Sequence, residues 1–319
     1  MNRRKILLMA GVTAASGTTA LLAGCGGGDS FTPAPTSNIV QLAQATPSLS
    51  ILVEAVIAAD LVATLSGPGP FTVFAPNNDA FAALLTELGV TKAALLANKT
   101  LLTTVLTYHV LGAKVEKAGI PIGKKITSLQ KSIFKIDTPA GGALSITDGR
   151  NRNSKIIATD IQATNGVVHV IDKVILPADK TIVQTAVALA PEFSTLVAAV
   201  TAAGLGATLS GTGPFTVFAP TNAAFAAALT ELNITQAALL ANVPLLTKIL
   251  TYHVVSGTVL KAEIPVGTPI TTVQGETLSI GADFKITDQR ARTSNIVTTD
   301  VFTSNGVIHA VDKVILPKP

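Results

Sequence analysis

Apolar residues recur at helical spacing near the start of each half of the chain. They sit three, four and seven positions apart, which places them on one face of a helix: Leu49, Leu52, Val53 and Val56, then Phe193, Leu196, Val197 and Val200. Pro47 and Pro191 stand just ahead, where proline suits a first helical turn. The pattern predicts an amphipathic helix at both places.

Short runs of aromatic and β-branched residues come next, and such runs favour strands. They cover residues 71–74 and 215–218, and each is soon followed by proline. Asn78 and Thr221 or Asn222 can then cap a second helix in each half, whose apolar stripe begins at Phe81 and Phe225. A further helical run, 101–106 in the first half, leads into a Tyr-His pair.

The last third of each half has a strand pattern. In the first half, residues 143–147 and 155–159 flank a polar loop, and residues 167–176 follow Asn165-Gly166, which signals a type I′ hairpin. Helices that precede strands in this way predict an α+β fold.

These patterns occur twice because the chain is a duplication. The segment Phe-Thr-Val-Phe-Ala-Pro starts at residue 71 and again at 215, and Asn-Gly-Val starts at 165 and again at 305. The spacing between the copies is 144 residues at the first segment and 140 at the second, so the second copy is four residues shorter between these two segments. A period of this length is too long for a solenoid. We predict domains at 39–177 and 182–317, restrained relative to each other by a four-residue connection.

Composition changes the picture mainly by exclusion. Only 13% of residues are charged and 4% are aromatic, which is typical of a globular chain with an aliphatic core. Of 23 basic side chains, Arg3, Arg4 and Lys5 lie at the N-terminus, which leaves 20 against 19 acidic ones. A net charge near +1 gives no electrostatic footprint for nucleic acid.

The N-terminus has the form of an export signal: a basic start, an apolar stretch and small residues before Cys25, the only cysteine. Leu22 to Cys25 resembles a bacterial lipobox, which implies a signal peptide over 1–24 and a covalent lipid on Cys25. An ordinary secretory signal or an uncleaved anchor stays as an alternative, as do the general and twin-arginine export routes. No cofactor besides the lipid is expected.

Residues 25–38 are rich in Gly, Pro, Ser and Thr, a composition typical of a flexible linker. It would tether the first domain close to a membrane through the lipid anchor. Gly26, in place of Asp, follows the cysteine. By resemblance to Gram-negative lipoproteins, this favours the outer membrane over the inner one.

Three blocks in a fixed order carry a resemblance that covers both copies. They are Phe-Thr-Val-Phe-Ala-Pro-x-Asn-x-Ala-Phe, then Tyr-His, then Asn-Gly-Val-x-His-x-x-Asp-Lys-Val-Ile-Leu-Pro. Together they resemble the fasciclin (FAS1) domain. The resemblance implies two β-sandwich-like wedges with helices packed at one side, and a role in adhesion or in contact with surface or matrix macromolecules.

The resemblance also implies candidate contact residues. The family's cell-binding Tyr-His region maps onto Tyr108, His109, Tyr252 and His253, and an adhesion motif of animal members maps onto Asp172, Lys173, Asp312 and Lys313. The alternative for the four histidines, which include His169 and His309, is burial in the core. Two per copy, without cysteine, fall short of a zinc site.

Two further polar groups stand out from the residues themselves. Paired arginines on a hairpin tip could grip carboxylates or phosphates, and these are Arg150, Arg152, Arg290 and Arg292. The alternative is a solvated turn whose aspartate bonds its own backbone. A basic stretch in the first copy only is interpreted as a solvated face, with weak attraction to anionic surfaces as the alternative: Lys124, Lys125, Lys131 and Lys135.

No nucleophile elbow, His-Glu-x-x-His segment or Walker loop is present in the sequence, so an enzyme is not expected. The leading hypothesis is a lipid-anchored adhesion or matrix-interaction protein. The alternative is a binder of an apolar small molecule such as a carotenoid or lipid, since aliphatic side chains could line a groove for it. A carbohydrate-binding module is disfavoured because the chain has no Trp and only two Tyr.

Overall fold

The computed structural model describes residues 34–319. The predicted signal peptide, Cys25 and most of the predicted linker lie outside these residues. Within the described part, every helix is too short or too polar to cross a membrane.

Each copy opens with six α-helices. In the first domain they are α1 (Ile39–Gln44), α2 (Ser50–Ala58), α3 (Val62–Leu65), α4 (Asn78–Leu88), α5 (Lys92–Ala97) and α6 (Lys99–Tyr108). In the second they are α7 (Ile182–Ala188), α8 (Ala190–Ala202), α9 (Gly206–Leu209), α10 (Asn222–Leu232), α11 (Gln236–Ala241) and α12 (Val243–Tyr252). Short 3-10 turns cover Pro47–Leu49, Lys117–Gly119 and Lys261–Glu263.

Seven strands follow or interrupt the helices in each domain. The first has β1 (Phe71–Pro76), β2 (Val110–Leu111), β3 (Lys125–Thr127), β4 (Ile133–Asp137), β5 (Ser145–Thr147), β6 (Asn153–Ala163) and β7 (Gly166–Ile171). The second has β8 (Phe215–Pro220), β9 (Val254–Ser256), β10 (Ile270–Thr271), β11 (Thr277–Ile280), β12 (Lys285–Thr287), β13 (Thr293–Thr303) and β14 (Gly306–Val311). The predicted α+β class is confirmed.

The strand order is the same in both domains. The first sheet runs β2-β1-β7-β6-β5-β4-β3, and the second repeats this order with its own strands. β1 lies parallel to β7, and the other neighbours are antiparallel. The long strand β6 has register shifts near Ala158 and pairs with β7 along one stretch and β5 along another, so it joins two halves of the sheet.

Two cores result in each domain. The helices pack on one half of the sheet, where Phe81 and Leu102 are fully buried. The other core lies within the sheet, where Phe74 of β1 meets Phe134 of β4 edge-to-face at 5.5 Å. Rings in this arrangement gain electrostatically as well as by area. The predicted wedge with helices at one side is therefore what the chain forms.

Helix α4 shows how the polar residues after β1 are used. Asn77 is its N-cap, and its side chain accepts a hydrogen bond from the Ala80 amide at 2.8 Å. The prediction that Asn78 caps this helix is wrong. Its side chain instead accepts from the Ile51 amide at 3.0 Å and donates to the Pro47 carbonyl at 3.1 Å, which ties α4 to the start of α2.

The predicted hairpin forms between β6 and β7, but the prediction of a type I′ turn at Asn165-Gly166 is wrong. The turn residues are Thr164 and Asn165, and neither has the positive φ that a type I′ turn needs. The side chain of Asn165 connects the turn to other segments of the domain. Its amide nitrogen donates to the carbonyls of Leu65 and Gly67, both at 2.8 Å, and its oxygen accepts from the Ile39 amide. Gly166 is required because a Cβ there would lie 2.0 Å from the Phe71 carbonyl oxygen of β1.

Residues 35–319 form one compact unit, so the two domains contact each other directly. Asn151, with φ of 61°, donates to the Phe302 carbonyl at 3.1 Å and accepts from the Phe302 amide at 2.6 Å. Lys135 forms an ion pair with Asp300 at 2.7 Å, and Ile133 packs against a cluster that includes Phe302. The connection is itself bonded to the second domain, since the Ser304 amide donates to the Lys180 carbonyl at 2.8 Å.

Candidate interaction surfaces

The Tyr-His pairs lie in the core of each domain. Tyr108 is fully buried at the end of α6, where its hydroxyl donates to the Ile133 carbonyl at 2.7 Å and accepts from the Gly149 amide at 2.9 Å. Burial, together with the nearby charge of Asp148, raises the pKa of its phenol. Tyr252 is equally buried and donates to the Thr277 carbonyl. Neither tyrosine ring is on the surface, so a partner bound at this region would contact the neighbouring exposed residues and not the rings themselves.

The adjacent histidines join the helices to the last segment of each domain. The Nδ1 atom of His109 donates to the Val105 carbonyl at 2.7 Å, and its Nε2 atom accepts from the Ile175 amide at 3.0 Å. His253 repeats both bonds with Ile249 and Ile315. Burial lowers the pKa of each imidazole to about 4, so both rings stay neutral at neutral pH.

The other two histidines hold the irregular part of the long strands. His169 on β7 accepts a hydrogen bond at Nδ1 from the Asp160 amide at 3.2 Å and contacts the Val115 carbonyl through Nε2 at 2.9 Å. Asp160 has a φ of 60°, a left-handed conformation that needs such support. His309 and Asp300 repeat the arrangement in the second domain. All four rings thus have both nitrogens bonded to the backbone.

The second arginine of each hairpin tip, Arg152 in the first domain and Arg292 in the second, is bonded within its own domain. Arg152 donates to the buried carboxylate of Asp148 through Nε and Nη2, to Glu87 of α4 and to the Val174 carbonyl. Arg292 makes the equivalent bonds with Asp288, Glu231 and Val314. These two guanidinium groups are fully used inside their own domains.

Arg150 differs from its counterpart Arg290. The Nε atom of Arg290 donates to the Pro317 carbonyl at 2.9 Å. Arg150 instead forms an ion pair through Nη2 with Asp179 of the connection at 3.0 Å, and its buried Nε has no hydrogen-bond partner in the described chain. Among the four predicted arginines, Arg150 is the one whose guanidinium group has a buried N–H without an acceptor in residues 34–319.

The Asp-Lys turns after β7 and β14 are the most exposed of the predicted contact residues. Asp172 accepts from the Lys155 amide at 2.7 Å and from Ser154, so its carboxylate holds the turn. Asp312 accepts in the same way from Asn295 and Ser294. The side chains of Lys173 and Lys313 are exposed.

The interpretation of the basic stretch as a solvated face is wrong for Lys135, whereas Lys124 and Lys131 are exposed. Lys135 is only 14% exposed and lies between Asp300 and Asp137. Burial opposes its charge, but the two carboxylates outweigh burial and raise the pKa of the ammonium group. Lys125 donates to the Thr258 carbonyl at 3.0 Å. Lys125 and Lys135 are therefore part of the domain contact.

A cleft with a volume of about 910 Å³ lies beside this contact. The first domain and the connection line one end, with Arg150, Asn151 and Lys180, and the second domain supplies an apolar wall that includes Phe193, Val297 and Phe302. Sequence reasoning missed both the cleft and the domain contact. The signal available in the sequence was that the two copies differ at the contact residues: Asn151 of the first copy matches Ala291 of the second, and Phe302 of the second matches Gln162 of the first.

Over residues 34–319, the structure brings no three His, Cys, Asp or Glu side chains close enough to hold a metal ion. The described residues do present a pair of exposed turns, one per domain, and the cleft of about 910 Å³ that both domains line.

Comparison with known proteins agrees with this architecture. The fasciclin domain family model matches residues 47–177 and 191–317. The pig transforming growth factor-beta-induced protein ig-h3 is 34% identical over 79% of this chain, and the match spans 35% of that protein. Protein sll1483 of Synechocystis is 46% identical over 44% of this chain and 73% of its own length.

Human periostin is 28% identical over 79% of this chain and 29% of its own. The chain thus spans about a third of the length of the ig-h3 protein that it matches. Among solved structures, a domain pair from the insect cell adhesion molecule fasciclin I covers 84% of this chain and 97% of its own, with 17% identity and a TM-score of 0.40. By the family-model match over both copies, the chain belongs to the fasciclin domain family and carries two of its domains.

Proposed function

We propose that this chain is a non-enzymatic, lipid-anchored protein of the bacterial cell envelope that mediates adhesion or contact with surface or matrix macromolecules. Fasciclin-domain proteins are typically adhesion or matrix-interaction proteins and are generally not enzymes. The lipobox-like segment ending at Cys25 supports the anchor, and Gly26 favours the outer membrane.

The observation that carries the proposal is the presence of two matched exposed turns on one compact unit. Lys173 and Lys313 occupy the same place in the two domains, and a tightly bonded aspartate holds each turn. Two weak sites on one body strengthen each other through effective concentration. The buried histidines support a structural role, because the backbone uses all their ring nitrogens.

The test compares surface attachment of wild type, a deletion strain and strains carrying Cys25→Ser or the double change Lys173→Glu with Lys313→Glu. We expect the deletion to reduce attachment and Cys25→Ser to release the protein into the soluble fraction. The double charge reversal should weaken attachment more than either single change. Lys124→Glu, which reverses another exposed lysine, is the matched control. Equal attachment of wild type and deletion strains across several surfaces would refute the proposal.

A second candidate function is binding of an apolar small molecule such as a carotenoid or lipid, and the cleft of about 910 Å³ favours it. Pockets of a few hundred to a thousand cubic ångströms are the usual size for small ligands. The test is purification of the mature protein from its native host followed by solvent extraction. A stoichiometric extractable ligand supports this function, and a colourless protein without one counts against it.

A further inference from the structure

The cleft between the domains combines features that neither domain has alone. Its apolar wall comes from the second domain, and its charged end comes from the first domain and the connection. We propose that it binds an elongated apolar molecule with a carboxylate head, of which a long-chain fatty acid is the simplest. This inference rests on the second function proposed above and names its site and ligand class.

Large apolar side chains line the second-domain wall from floor to mouth. Phe193, Phe302 and Ile308 are almost completely buried and form the floor. Leu189 and Val297 stand at the mouth and are 41% and 55% exposed. Large aliphatic side chains exposed along a concave surface are a feature of ligand sites, because a bound apolar chain removes them from water.

The charged end can hold a head group. Arg150 lines this end, and its Nη2 is bonded to the exposed Asp179. Lys180 is exposed there, and no ion pair with it is formed by residues 34–319. A ligand carboxylate alongside Asp179 would accept charge-assisted hydrogen bonds from these donors, which are the stronger kind.

The remaining charges fix the orientation of the ligand. Arg152 at the same end is fully used by Asp148 and Glu87, so it does not compete for the head group. Glu192 lies on the opposite, apolar wall. The first domain and the connection contribute three basic side chains (Arg150, Arg152, Lys180) against two acidic ones (Glu87, Asp179), whereas the second domain contributes only the acidic Glu192. A negative head is therefore favoured at the first-domain end, and the apolar chain extends along the second domain.

The test uses the full mature chain and the fluorescent polyene cis-parinaric acid as the probe, with palmitate and methyl palmitate as competitors. We expect saturable binding of one probe per chain. Val297→Asp places a charge on the apolar wall and should raise the Kd at least about tenfold. Ile157→Asp is the matched control, because Ile157 is the counterpart in the first domain, is 54% exposed and does not line the cleft. Its Kd should stay within about twofold of wild type.

Arg150→Gln separates the head group from the chain. It should weaken palmitate about tenfold, the value of one charged hydrogen bond, and leave methyl palmitate nearly unchanged. Both mutated positions are partly or largely exposed, and thermal unfolding checks that each variant is folded.

Absence of saturable binding would overturn the inference, as would equal losses in Val297→Asp and Ile157→Asp or equal losses of palmitate and its ester in Arg150→Gln. The result separates the site from the function on which it depends. A host-extracted ligand that Val297→Asp retains would refute the cleft alone, whereas absence of any ligand and of palmitate binding would refute both. Surface attachment is measured independently of either.

Discussion

Replacing Asn151 by glycine should loosen the contact between the two domains without disturbing either one. Asn151 makes two hydrogen bonds to the Phe302 backbone, at 2.6 and 3.1 Å. Each is worth about 1 kcal/mol net, so the contact loses about 2 kcal/mol. Glycine accommodates the φ of 61° at no steric cost, so the change removes the side chain and adds no backbone strain.

The assay is amide hydrogen exchange at Phe302, whose amide donates to Asn151. A loss of about 2 kcal/mol corresponds to roughly thirtyfold faster exchange. The matched control is Ala291→Gly, because Ala291 is the counterpart in the second domain and has a φ of 59°. Any effect of glycine on the unfolded chain is similar in both variants. Equal exchange at Phe302 in Asn151→Gly and Ala291→Gly would show that the side chain does not hold the domains together.

Three further predictions concern the interior of the domains. The pKa of the buried His109 is about 4 instead of 6.5, so between these pH values the imidazole is protonated in the unfolded chain but neutral in the folded one. Stability should therefore fall by about 3 kcal/mol for this histidine as the pH drops from 6.5 to 4, and denaturant unfolding with His109→Gln measures its share. Gly166→Ala should lower the free energy of unfolding by about 3 kcal/mol or more, since the new Cβ would overlap the Phe71 carbonyl. Arg152→Met should lower the free energy of unfolding by about 3–5 kcal/mol because it leaves the buried Asp148 without its charged partner. Matched controls exist for the last two: Gly112→Ala has open space and should be nearly neutral, and Arg150→Met loses an ion pair with an exposed carboxylate and should cost under about 1 kcal/mol. An unfolding free energy that does not change between pH 6.5 and 4 would contradict the prediction for His109. Control variants that lose as much stability as Gly166→Ala or Arg152→Met would contradict the other two.

The fold could be predicted from the sequence because local patterns and the duplication agree. The helical spacing around Leu52 and Leu196 and the aromatic strands at Phe71 and Phe215 occur where helices and strands are found. The blocks shared with the fasciclin domain then identified the family, and the family match confirms it.

The details that failed depend on contacts between distant residues. Asn165 looks like a turn residue, but its amide reaches carbonyls about a hundred positions away in the chain, and no local rule contains that information. Gly166 looks like part of the same turn, but the approach of β1 requires it. For the candidate site, pattern alone cannot tell a solvated lysine from Lys135, whose partner Asp300 lies in the other domain.

The domain contact joins two different surfaces, and contacts of that kind can continue from molecule to molecule and build fibres. The far side of the second domain lacks what the first domain uses: strand pairing places Ser279 where Lys135 would stand, and Ala291 replaces Asn151. The free side of the first domain has Gln162 in place of Phe302. A further copy joined in the same way would therefore lack the ion pair of Lys135 and the hydrogen bonds between Asn151 and Phe302, so these substitutions make the junction specific to this pair of domains.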